Sequence, residues 1–172
     1  MSVRVFVSRD AAALALGADE TALALQKAAQ AAGEAIELVR IGSRGMVWLE
    51  PLVEVEVAGV RVGYGPVNAA DVPALVKAGL FKGAAHALRL GAVHELPFMA
   101  RQERLTFARV GVIDPLDLDQ YVKQGGYAGL KRALALFADK PRYVAAQRRA
   151  MQKDFSWTKA VAAYEQLYTE AL

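Results

Sequence analysis

The chain contains no cysteine and only two histidines, His86 and His94. The first absence excludes disulfides, thiolate zinc sites and iron-sulfur clusters held by thiolates. Neither histidine stands in a metal-ligand spacing such as HExxH, so no metal site is expected, and both read as loop residues. Nowhere do about 18 uncharged apolar residues follow one another. The start, MSVRVFVSRD, also lacks an apolar run of signal-peptide length. A soluble, cytoplasmic protein with no membrane partner is the expectation. P-loop, GxGxxG and GxSxG motifs are missing, as is a carboxylate pair in a catalytic context, so no catalytic residue is named. Aromatics are sparse at 8%, and alanine supplies much of the 55% apolar content, which points to helices with small contact faces.

What is present suffices for one domain with an appendage, since 172 residues can bury a real core. The net charge of +3 is dispersed until the final third, where Lys140, Arg142, Arg148, Arg149 and Lys153 cluster on a predicted helix. A solvated helix face is the favoured reading over a phosphate-binding one, because no aromatic platform accompanies the charges; no nucleic-acid partner is expected.

Val3, Val5 and Val7 alternate through a first strand to Ser8. Asp19 is placed as the cap of a helix carrying Ala22, Leu25, Ala29 and Ala32, ended by Gly33, and Ile36 to Ile41 read as a second strand. The loop GSRGMVWLEP follows; its glycines could present backbone N–H groups to an anion, but a tight turn placing Trp48 over the core is favoured. Val53, Val55 and Val57, then Val60, Val62 and Tyr64, flank the turn Ala58-Gly59. They read as a hairpin with one buried face, Glu56 standing opposite Arg61 on the outer one. Asn68 with Asp71 resembles a capping box for a helix of Val72, Leu75, Val76 and Leu80, ended at Gly79 or Gly83.

Residues after Gly83 read as an extended connector with possible short strands. Its Arg101, Arg104 and Arg109 suit either docking on an acidic surface or simple solvation. Asp114-Pro115 is taken as a helix start, Gly125-Gly126 as a stop, and Tyr127, Leu130, Leu134 and Phe137 as the next helix. Two last helices run from about Pro141 to Lys153 and from Ser156 to the end. In the second, Trp157, Val161, Tyr164 and Tyr168 recur at helical spacing, which calls for a buried face.

The order strand, helix, strand, loop, hairpin, helix matches an α/β, thioredoxin-like layer. At the loop GSRGMVWLEP the chain resembles the thioredoxin-like two-iron ferredoxins, including the small iron-sulfur subunit of respiratory complex I. That family carries cysteine pairs spaced CxxxxC after the first strand and GCxxxCxxxP before the hairpin. The resemblance places its four ligands at Ser8, Ala13, Ser43 and Val47, with Gly42 and Pro51 kept. Such side chains cannot hold the cluster, so the resemblance implies the fold without the electron transfer.

Through SRDAAALALGAD, YGPVNAADVPAL, RQERLTFARVGVIDPLDLDQY and GGYAGLKRAL, residues 1 to about 137 resemble the β (diaphorase) subunit of cytoplasmic NAD-dependent formate dehydrogenases. In that family a cysteine-free thioredoxin-like domain is fused to a complex I type flavoprotein. No residue here corresponds to its FMN, NADH or cluster ligands, so no cofactor is expected. The resemblance implies a noncatalytic accessory or docking module, with a flavin-binding domain or other dehydrogenase subunits as partners.

From roughly Arg132 on, the run to DFSWTKAVAAYEQLY resembles the C-terminal tail of bacterial glycogen (starch) synthases through Asp154, Phe155, Ser156, Trp157, Tyr164, Leu167 and Tyr168. The expected organisation is therefore a thioredoxin-like domain at 1–84, a connector with helices resembling the start of the flavoprotein at 85–137, and a helical tail at 138–172. Two unrelated likenesses in one chain suggest a chimera. A glucosyltransferase-related fragment is the alternative, and an exposed Trp157 stripe would invite self-association.

Overall fold

In the computed structural model, which describes residues 2–171, the chain divides into two compact units, residues 1–124 and 125–172. Met1 and Leu172 lie outside the described residues. No described helix is long and apolar enough to cross a membrane.

The first unit is built on a five-stranded mixed sheet in the order β2-β1-β3-β4-β5. Strands β1 (Val3–Ser8) and β2 (Ile36–Ile41) run parallel, joined through helices α1 (Ala11–Ala15) and α2 (Ala18–Ala31). In the hairpin, β3 (Val53–Val57) pairs antiparallel with β1 and β4 (Val60–Tyr64) antiparallel with β3, and β5 (Arg89–Ala92) adds antiparallel to β4. Helix α3 (Val72–Lys77) follows the hairpin behind the expected Asn68–Asp71 capping box. This β-α-β unit followed by a hairpin and a helix is the thioredoxin-like α/β layer that the sequence pattern suggests.

Alternation assigns the two faces of the sheet. Val5, Val7, Val53, Val55, Val62 and Tyr64 point to one face and pack with Leu25, Ala22, Ala29, Val72 and Leu75 from α2 and α3. Thr21, fully buried in that core, satisfies its hydroxyl by donating to the Val67 carbonyl at 2.9 Å. Phe6, Val39 and Ile41 line the opposite face, where Glu54 stands directly across from Phe6.

That opposite face departs from the sequence reading. The hairpin does not expose its polar side throughout: Glu54 is fully buried, beneath residues of the segment between α4 (Pro97–Ala100) and α5 (Leu118–Lys123). The register Glu56 opposite Arg61 is as expected, yet the two do not pair. Glu56 accepts instead from Arg4 at 3.2 Å, and Arg61 turns to Glu54, the carboxylate with no solvent exposure.

Two helix starts also move. Gly17, at φ +94°, turns the chain directly from α1 into α2, so the helix begins ahead of Asp19, which instead meets Arg40 at 2.7 Å. Asp114 accepts from the Leu116 N–H at 2.9 Å in a local turn, and the cap of α5 is Asp117, which accepts from the Gln120 N–H at 2.9 Å. Those bonds, first of all the one from Gln120, hold the Asp117 carboxyl below its ordinary range.

The second unit consists of α6 (Ala128–Ala138), α7 (Lys140–Met151) and α8 (Trp157–Ala171). Helix α7 is capped by Asp139, which accepts from the Arg142 N–H. The α8 stripe is not buried: Trp157 is 78% exposed, and Tyr164, Leu167 and Tyr168 are exposed with it. An amphipathic pattern records which side would bury, and it needs an opposing surface to do so.

Gly111 is the residue on which the cover of the second face turns. Its φ is +77°, and a Cβ there would stand 2.7 Å from the Arg44 Cγ. Gly111→Ala is expected to lower the unfolding free energy by about 1–3 kcal/mol, read as a lower midpoint in urea at unchanged slope.

Candidate functional site

Because β1 and β2 are parallel, the loops that leave them emerge at the same end of the sheet. Asp10 ties them together. Its Oδ1 accepts from the N–H groups of Ala12 and Ala13 at the start of α1, while its Oδ2 accepts from the Ser43 N–H at 2.7 Å. Ser43 in turn accepts through Oγ from the Gly45 N–H. Next to this, the buried Ser8 hydroxyl donates to Glu50 Oε1 at 2.9 Å, and Glu50 Oε2 accepts from the Leu52 N–H at 2.8 Å.

Ser8, Ala13, Ser43 and Val47, the four positions of interest from the sequence, thus fall on the two loops and the elements that adjoin them. Ser8 and Ala13 are buried, the one hydrogen-bonded and the other a methyl group in the core. Ser43 takes part in the loop's own bonding, and Val47 is about half exposed. Two hydroxyls and two aliphatic groups are not a donor set for an iron-sulfur cluster, which takes thiolate or, in one class, imidazole ligands. The residues present do not fit the group.

Trp48 does not cover the core as expected. Met46 occupies that place at 1% exposure, and the short helical turn 47–49 directs Trp48 outward at 61%, its ring meeting the edge of Phe98 at 5.1 Å. His86 accepts through Nδ1 from the Leu88 N–H in a loop, whereas His94 lies in a short helical turn, 3.8 Å from Glu95. Among the described residues no group of three His, Asp or Glu side chains is arranged to hold a metal. Lys140, Arg142, Arg148, Arg149 and Lys153 lie on α7 and the turn after it, and all five are exposed.

The strongest electrostatic feature was not legible from the motifs. Glu54 receives a bidentate fork from Arg44, Nε to Oε1 at 2.5 Å and Nη2 to Oε2 at 2.8 Å, and a third bond from Arg61 at 3.3 Å. Arg61 lies over the Phe6 ring at 3.5 Å and donates to the carbonyls of Gly111 and Val112, both at 2.6 Å. Burial pushes the Arg61 guanidinium below its ordinary range, and Glu54 opposes that shift. It stays charged, because no protein environment brings arginine near neutral pH. Arg104 is lowered as well, by burial first and then by the nearby Arg44. A Glu on a strand with valines on both sides reads as solvent-facing; only its long-range partners show otherwise.

Comparison with known proteins adds the following. No family model matches the chain. In its C-terminal region the chain is similar to the glycogen synthase of Opitutus terrae, 54% identical over 43 residues, which are 25% of this chain. The matched stretch spans 9% of that protein's length. Among solved structures it is similar to a thioredoxin-like 2Fe-2S ferredoxin from Aquifex aeolicus, at 20% identity and a TM-score of 0.46, over 56% of this chain and 96% of that one. A cysteine-to-serine variant of the same ferredoxin is similar at 24% identity and a TM-score of 0.42, over 52% and 98% of the two chains.

Removing the Glu54 carboxylate strands two guanidinium groups that are only 10% and 17% exposed. Glu54→Ala is expected to cost about 3–5 kcal/mol in a urea titration, whereas Glu54→Gln, which keeps an acceptor oxygen, costs less.

Proposed function

We propose that this chain is a noncatalytic, thioredoxin-like docking module of an NAD-linked dehydrogenase, of the type in which a cluster-free domain accompanies a complex I type flavoprotein. The observation that carries this reading is the filling of Ser8, Ala13, Ser43 and Val47 by groups without affinity for a cluster. In the resembling ferredoxins a cluster would join the two loops; here the Asp10–Ser43 and Ser8–Glu50 bonds make the connections. The module keeps its shape with no electron carrier. Its contribution is then surface, and Leu105, Phe107 and Leu116 on the segment before α5, with Leu118 at the start of α5, are each more than half exposed. Exposed apolar groups gathered on one segment favour a protein partner, here the flavin-binding domain or another subunit of the same enzyme.

The C-terminal likeness to glycogen synthase favours a second reading for the residues from about Arg132 on alone: a helical piece related to a glucosyltransferase, joined to the preceding part as a chimera. The exposed stripe of α8 supports self-association in either case.

One preparation tests both readings. After anaerobic incubation with iron and sulfide, the purified chain is expected to stay colourless and to co-elute on size exclusion with the flavoprotein subunit of an NAD-linked formate dehydrogenase. Visible cluster absorption, or NADH-driven dye reduction by the chain alone, would contradict the first reading. Saturable binding of ADP-glucose would favour the second.

A further inference from the structure

Beside the Glu54 cluster lies a cleft of about 660 Å³ between the loop 43–45 and the segment 98–110, within the first unit. Arg44 and Arg104 line it, together with the rings of Phe98 and Phe107. The two arginines are in different situations. Arg44 spends its fork on Glu54, and Arg61 takes part of what remains of that carboxylate. Arg104 is half-buried and, among the described residues, forms no ion pair with any carboxylate, including Glu103, which also lines the cleft. Two guanidinium groups therefore serve one buried carboxylate, and Arg104, the third, lines the cleft with its planar set of five donors uncommitted to any carboxylate. A guanidinium fork matches the oxygens of a phosphate in pairs, and the rings of Phe98 and Phe107 line the same cleft.

We propose that this cleft binds a small organic phosphate, its phosphate group paired with Arg104 and its apolar part lodged against Phe98 and Phe107. The site shares Phe107 and Leu105 with the docking surface above, but phosphate binding is read on the isolated chain, so its failure is distinguishable from a failure to co-elute with a partner. Arg104 makes no bond that the fold requires, so replacing it removes the ligand's partner and leaves the structure. Arg101, exposed on the same segment but outside the lining, is the charge-matched control.

The test is calorimetric titration of the full chain with inorganic phosphate and with phenyl phosphate at fixed ionic strength. Saturable binding is expected for both, with phenyl phosphate tighter by about tenfold through burial of its ring. Arg104→Gln should weaken it by at least about tenfold, and Arg101→Gln should leave it unchanged. Absence of saturation by about 10 mM phenyl phosphate overturns the site. So does an equal loss in both variants, which would mark diffuse attraction to a basic surface. Equal affinity for the two phosphates overturns the assignment of the rings.

Discussion

A carboxylate buried away from solvent organises the first unit. Glu54 sits in the middle of the sheet, opposite Phe6, and nothing apolar could replace its role without rearranging what faces it. Such a group is tolerable only when its oxygens are filled, and Arg44 and Arg61 fill them. Each arginine then reaches further. Arg44 comes from the loop after β2, and Arg61 from β4 passes the constraint to the backbone at Gly111 and Val112. One charge thereby joins a loop, two strands and a segment about fifty residues further along the chain. A buried ion cluster of this kind contributes less to net stability than to deciding which arrangement is adopted, because losing one member costs more than the whole is worth.

The same logic operates at the end of the sheet. Asp10 and Glu50, like Glu54, take donors from elements distant in sequence and so fix the two loops leaving β1 and β2. Carboxylate-to-backbone and carboxylate-to-hydroxyl bonds are the connectors there, and they need no metal, thiolate or redox poise to form. These bonds are the physical basis for the proposal that the first unit serves as a docking surface. The apolar residues at 105–118 are presented by a segment whose inner edge is held by Arg61.

Local pattern made much of the fold legible. Alternating valines marked β1, β3 and β4, the Ala58-Gly59 turn fixed the hairpin register, and the Asn68–Asp71 capping box marked the start of the next helix. Each of these signals lies within a few residues of what it specifies. The misplaced readings share the opposite property. Asp19 and Asp114 are plausible caps, but Gly17 and Asp117 stand closer to the actual turns. Trp48 is the largest side chain of its loop, yet the smaller Met46 fits the space inside. Glu54 was unreadable because its burial depends on Gly111 and Val112, contributed by a stretch with no periodicity of its own. The α8 stripe was legible as a pattern, but a pattern does not supply its partner.

The tether from Arg61 to the 109–112 backbone can be observed amide by amide. The Val110 and Val112 N–H groups bond to the carbonyls of Phe107 and Arg109 inside that turn, so their exchange with solvent reports whether it stays closed. In Arg61→Met both amides should exchange faster by at least about tenfold, while Val5 and Val7 in β1 keep most of their protection. Unchanged exchange at 110 and 112 would mean that the second face is closed by something other than the Glu54 cluster.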